Sequence, residues 1–210
     1  MFKKSKKDIK GTILFEVVLS VGILATLAAT AAMIIVSSLY ANSFNRNSLI
    51  AVNLARDGIE IVRNIRDTNW LKYSTEIEDN WNIYNVDEDK KYENDGARYI
   101  PIFDAATRRY YLDLVNSSSD AFDIDDEGLL DKEKAAANVR LVDFDGTDIY
   151  TNTTDGAGEG TLFYREVALV CVDIAGVNCN EYEIVSSVQW KERGKTRTVD
   201  LVSGISNYLK

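Results

Sequence analysis

The sequence predicts an α+β fold, with one long N-terminal helix, first membrane-spanning and then amphipathic, packed on a C-terminal antiparallel β-sheet. Three observations predict it. No charged residue occurs from Val17 to Asn45. Apolar residues then recur at helical spacing to about Arg66 without an evident stop. The last third of the chain falls into strand-like segments rich in β-branched and aromatic residues, separated by glycines.

The first eleven residues, MFKKSKKDIKG, carry five Lys against one Asp. The chain as a whole has a formal net charge of −9, so the body that follows is more acidic still. The charge-free run is long enough to span a membrane, because about 20 helical residues cross the hydrocarbon core. The Lys-rich flank predicts a cytoplasmic N-terminus and therefore an extracytoplasmic body. Glu16 interrupts the apolar sequence one turn after it begins. A carboxylate in hydrocarbon costs roughly 2.5 kcal/mol or more, and such acids usually have a function. The plainer alternative is an interfacial side chain reaching the headgroups.

Lys10-Gly11-Thr12-Ile13-Leu14-Phe15-Glu16, followed by the long apolar run, resembles the leader of the type IV pilin and type II secretion pseudopilin superfamily. In that family a prepilin peptidase cuts after the Gly, the new amine is usually methylated, and a Glu stands four residues beyond it. The resemblance implies a leader over 1–11, cleavage between Gly11 and Thr12, N-methylation of Thr12, and an assembly role for Glu16. It implies a filament-core and transmembrane half of the helix over 12–45, an amphipathic half over 46–70 and a β-rich domain over 71–210. The implied partners are prepilin peptidase, other pilin or pseudopilin subunits, and membrane lipid before assembly. Phe is commoner in the family where this chain has Thr12, and major pilins often have Pro where Met33 stands. That difference favours a minor pilin or pseudopilin. Two alternatives are a single-pass surface or adhesive protein that never polymerises, and a secretory signal peptide cut near Ala29-Thr30-Ala31. Against the latter, Glu16 would lie in the apolar region, and apolar sequence continues to Ile35-Val36.

The amphipathic half places Ile50, Leu54, Ile61 and Ile65 on one face, and Arg56, Glu60, Arg63 and Asp67 on another. Arg56–Glu60 and Arg63–Asp67 are spaced for i,i+4 pairs. Gly58 is a blemish in the pattern, and Asp67-Thr68-Asn69 reads as a helix end. Residues 70–100 read as a loop-rich linker with one or two short strands. Ala97–Phe103 and Tyr110–Val115 suggest a hairpin around Asp104–Arg109. Asn116–Asn138 is acidic and loop-like, with a short helix expected at Asp131–Asn138. Val139–Phe144, Thr161–Asp173, Glu181–Lys191 and Thr196–Val202 read as strands, with Arg193-Gly194 turning the last two into a hairpin. Val185, Val188, Trp190, Val199 and Leu201 are the expected core of that sheet.

Cys171 and Cys179 flank a turn around Ala175-Gly176, a placement compatible with a cross-strand disulfide in an extracytoplasmic domain. Two free, partly buried thiols are the alternative. The acidic groups Asp123, Asp125, Asp126, Glu127 and Asp143, Asp145, Asp148 invite a calcium reading, because hard oxygen ligands at alternating positions suit Ca²⁺. Neither group matches the full EF-hand loop, such clusters are more often solvated turns, and no metal or other cofactor is expected.

The sequence contains no histidine, so Ser-His-Asp and Cys-His nucleophiles cannot form within the chain. It also lacks the glycine-rich phosphate-binding patterns. An enzyme is not expected, although paired carboxylates remain a formal alternative. An acidic body repels phosphate backbones, so no nucleic acid is expected. Arg108-Arg109 is read as a solvated surface pair.

Overall fold

The computed structural model describes residues 9–73, 80–85, 90–92, 95–116, 136–153, 158–175 and 178–206. They form one helix, α1 (Ile9–Lys72), and nine strands. The strands are β1 (Ile83–Asn85), β2 (Lys90–Lys91), β3 (Asp95–Asp104), β4 (Arg109–Asn116), β5 (Asn138–Phe144), β6 (Thr147–Thr151), β7 (Glu159–Ala175), β8 (Asn178–Glu192) and β9 (Lys195–Ser206). Two compact units divide the chain, 1–47 and 48–210.

In the first unit every side chain from Ile13 to Arg46 is exposed. Three of the hydroxyls within it are satisfied locally. Ser20 Oγ donates to the Glu16 carbonyl at 2.7 Å, Thr26 to Ile23 at 2.8 Å and Thr30 to Leu27 at 2.9 Å. A helix that meets its own hydrogen-bonding needs can enter an apolar medium.

In the second unit α1 packs on an antiparallel sheet. Ala51, Leu54, Ala55, Gly58, Val62 and Ile65 are buried on one stripe of the helix. The stripe keeps the expected period, but small residues carry more of it than expected and Ile50 is only partly buried. Gly58 is no blemish. A Cβ there would land on the Ser186 hydroxyl and lie 3.3 Å from Val167 Cγ2, so its lack of a side chain permits the closest approach of helix to sheet. The helix also outruns its expected end by one turn. Asn69 is buried and donates from Nδ2 to the carbonyls of Trp81 (3.3 Å) and Ile83 (2.7 Å), so it anchors the following segment instead of capping the helix.

β7, β8 and β9 form a long meander, from Phe163↔Trp190 to Ala175↔Asn178 with register shifts beyond Cys171, and from Glu181↔Ser206 to Glu192↔Lys195 without a shift. Two hairpins share the other edge of β7. β5–β6 pairs with its first half (Asn138↔Tyr164) and β3–β4 with its second (Tyr99↔Val167). Two-residue turns with positive φ close β5–β6 at Asp145-Gly146 (51° and 79°) and β8–β9 at Arg193-Gly194 (53° and 71°), matching the twist of the strands they join. β6 was not expected from the sequence. The short strands β1 and β2 lie in the expected linker.

Period-two alternation puts Ile184, Ser186, Val188 and Trp190 toward the helix. Val185 therefore points to the opposite face, a correction to the expected core, while Val199 and Leu201 are partly buried against it. At the far end of the helix, Trp81, Tyr84, Tyr92, Tyr99 and Tyr182 form an aromatic cluster, with ring centroids 4.9–5.9 Å apart among them. The helix surface pairs differently from expectation. Arg63 reaches Glu60 at 2.7 Å and Ser203 Oγ at 2.7 Å, and Asp67 is taken by its neighbour Arg66 at 2.7 Å. The sheet draws Arg63 sideways and leaves no Arg63–Asp67 pair.

Candidate functional site

Gly11 and Thr12 lie in the first turns of α1, and residues 1–8 of the expected leader lie outside the described residues. Glu16 follows one turn after Thr12, exposed, at the head of the charge-free run. Among the described residues its carboxylate meets no ion-pair partner. The exposed apolar side chains include Leu14 (71%), Leu24 (71%), Met33 (73%) and Ile34 (70%). An uninterrupted apolar surface of this extent is untenable in water and marks contact with lipid or protein. One helix, near the N-terminus, is long and apolar enough to cross a membrane. A shallow apolar depression on it is lined by Ala32, Met33, Val36, Ser37 and Tyr40.

No family model, curated protein or solved structure matches this chain.

Cys171 and Cys179 are joined by a disulfide, with Cα atoms 5.8 Å apart. They staple β7 to β8 where the register shifts twice, between Cys171 and Ile174. Among the described residues, the acidic candidates do not assemble as a metal site. Asp123, Asp125, Asp126 and Glu127 lie outside the described residues. Asp143, Asp145 and Asp148 surround the β5–β6 turn. Asp143 accepts from the Gly146 amide at 2.9 Å, and Asp145 pairs with Arg108 at 2.7 Å. Arg108 also sits 5.3 Å from the Phe144 ring centre, so it is engaged within the domain. Among the described residues, no group of three or more Asp, Glu or Cys is placed to hold a metal ion.

The second unit contains a groove of about 390 Å³ that was not expected from the sequence. Asp57, Glu60, Arg63 and Asp67 line it from α1, with Tyr110 and Tyr150 from β4 and β6. Beneath it Arg165 is fully buried on β7. Its guanidinium donates twice to Asn152 Oδ1, at 3.1 and 2.9 Å, and to the Leu54 carbonyl at 3.4 Å. Burial pulls its pKa down to about 10, opposed by the nearby Asp57 and Tyr110. Asp57 feels the reciprocal environment. Burial raises its carboxyl above the ordinary value, and Arg165 draws it partly back. Arg165-Glu166 in the middle of an apolar strand was the available signal. Glu166 answers Arg98 on the other sheet face at 2.7 Å. Both buried charges are thus satisfied by structure, and the groove gains a partly desolvated carboxylate at its wall.

Proposed function

We propose that this chain is a structural subunit, a minor pilin or pseudopilin, of a type IV pilus or type II secretion-like filament. One observation carries the reading. Glu16 stands four residues beyond Thr12, at the head of an exposed charge-free helix, with no ion-pair partner among the described residues. Cleavage after Gly11 would create a cationic amine at Thr12 while the apolar run stays in lipid. In a stack of staggered helices, Glu16 of one subunit would meet that amine on a neighbour. Opposite charges about 4 Å apart in a poorly hydrated site attract by several kcal/mol gross, so the acid rewards correct register. The exposed apolar helix supports the same reading, since it can exchange lipid for neighbouring helices without exposing polar groups. The body would lie outside the cytoplasm, where the Cys171–Cys179 disulfide persists.

Mass spectrometry of the mature chain tests the processing. A start at Thr12 with a methylated amine is expected. Retention of residues 1–11 would favour a single-pass anchored surface protein, and a start near Ala32 would indicate signal-peptide cleavage. Glu16→Ala should leave membrane insertion intact and reduce filament incorporation more than about tenfold, the equivalent of ~1.4 kcal/mol. Unchanged incorporation would overturn the assembly role.

A further inference from the structure

The tip of the β8–β9 hairpin is a basic cluster within the acidic second unit. Lys191, Arg193, Lys195 and Arg197 are all exposed there, with the single acid Glu192 among them, on a chain of net charge −9. The register stacks Lys191 opposite Thr196 and Arg197 opposite Trp190, and the two-residue turn at Arg193-Gly194 holds the tip in one conformation.

The packing of the second unit fixes where this tip lies within it. Trp190 packs with Ala51 and Leu54, Ser186 faces Gly58, and Arg63 reaches Ser203. The helix therefore runs antiparallel to β8, and the tip sits at the Ser48 end of the unit. Ser48 is only three residues beyond Asn45, where the charge-free run ends, which is about 4.5 Å of helical rise. When that run occupies a membrane, the Ser48 end of the unit is within reach of the lipid surface by chain connectivity. Arg46 is the first charge after the run. Leu162 is 45% exposed beside Phe163, which pairs with Trp190, and adds an apolar side chain to the same end.

We propose that the β8–β9 hairpin is a docking surface for anionic lipid headgroups, which steadies the domain on the membrane through Lys191, Arg193, Lys195 and Arg197. Each basic side chain near an anionic surface strengthens the attraction about fivefold. The rest of the acidic body would be repelled, so the hairpin also sets which face meets the bilayer. The proposal needs only the span in lipid and not filament assembly, so it holds for a mature start at Thr12 or for a retained leader, and a start near Ala32 would remove it.

The test uses the full chain in nanodiscs, with a nitroxide on Thr196→Cys. Both native cysteines are in the disulfide, so the introduced thiol labels alone. Collisional relaxation by a nickel chelate tethered to headgroups is read in zwitterionic discs and in discs containing phosphatidylglycerol. Strong relaxation is expected in the anionic discs only. It should fall to the zwitterionic level when the four cations are changed to Gln, and fall progressively with added salt, while Lys90→Gln with Lys91→Gln leaves it unchanged. If the fourfold variant does not fold, Lys195→Gln alone and the salt series give the same reading in reduced amplitude. Equal relaxation in both discs, or indifference to the cations and to salt, overturns the proposal. So does binding of soluble heparin through these four residues without any headgroup contact, which would make the tip a polyanion site.

Discussion

Gly58 and Ser186 meet where helix and sheet come closest, so their substitutions should not be independent. Gly58→Val forces a branched side chain against Ser186 and Val167 and should lower stability by about 1–3 kcal/mol in chemical denaturation. Ser186 Oγ is buried without a hydrogen-bond partner among the described residues, so Ser186→Ala should be neutral or stabilising by ~1 kcal/mol. In that background Gly58→Ala should cost less than in the native chain, and strict additivity would contradict the contact. Asp57 offers a second test, by carboxyl titration in NMR. Its midpoint should lie above 3.8, and Arg165→Met should raise it further by removing the cation that draws it down. The folded carboxyl keeps its proton to higher pH than the unfolded one. Its contribution to stability is therefore present below pH 3.8 and lost as pH rises through the raised value. Arg165→Met should also destabilise the fold by about 1–3 kcal/mol, because Asn152 Oδ1 loses its buried donor.

At the level of elements, the Cys171–Cys179 bridge closes a loop with a sequence separation of 8 residues. Loop-closure entropy assigns such a bridge about 2–3 kcal/mol, so Cys171→Ala with Cys179→Ala should lower the denaturation midpoint accordingly. The irregular register beside it implies local loosening of β7–β8, readable as faster hydrogen exchange near Cys171. Most elements were legible because each imposes a period on the sequence. The apolar run, the stripe containing Leu54, Ile61 and Ile65, and the alternation through Val188 and Trp190 are all local patterns. The features not legible depend on tertiary partners. β6 is only five residues long and half polar, and pairs solely through its hairpin with β5. Asn69 resembled a helix terminator because its two acceptors, on Trp81 and Ile83, lie in a different segment. Arg63 was expected to pair along its own helix, but Ser203 lies 140 positions away. The groove is illegible for the same reason, since Tyr110 and Tyr150 reach Asp57 only through the fold. Gly11, Thr12 and Glu16 were singled out by resemblance to the prepilin leader, and their roles belong to the proposal and not to the folded domain.

Across the whole molecule, the antiparallel packing of α1 on β8 joins the first and last parts of the second unit. Ala51, Leu54 and Ala55 are covered by Val188 and Trp190, and Ile61, Val62 and Ile65 by Ile184 and Ile205 among others. Ribosomes make these partners in the reverse order of need. The apolar stripe of the helix is synthesised more than a hundred residues before β8 and β9, which complete its cover. Earlier strands supply Val139, Phe163, Val167 and Leu169, but a chain halted after Ala175 would lack Ile184, Val188, Trp190 and Ile205 and leave the stripe only partly covered. Such a truncated chain should be cleared by proteases or aggregate. The order of synthesis thus makes the final hairpin a completeness check, since only a finished domain covers its own helix in full.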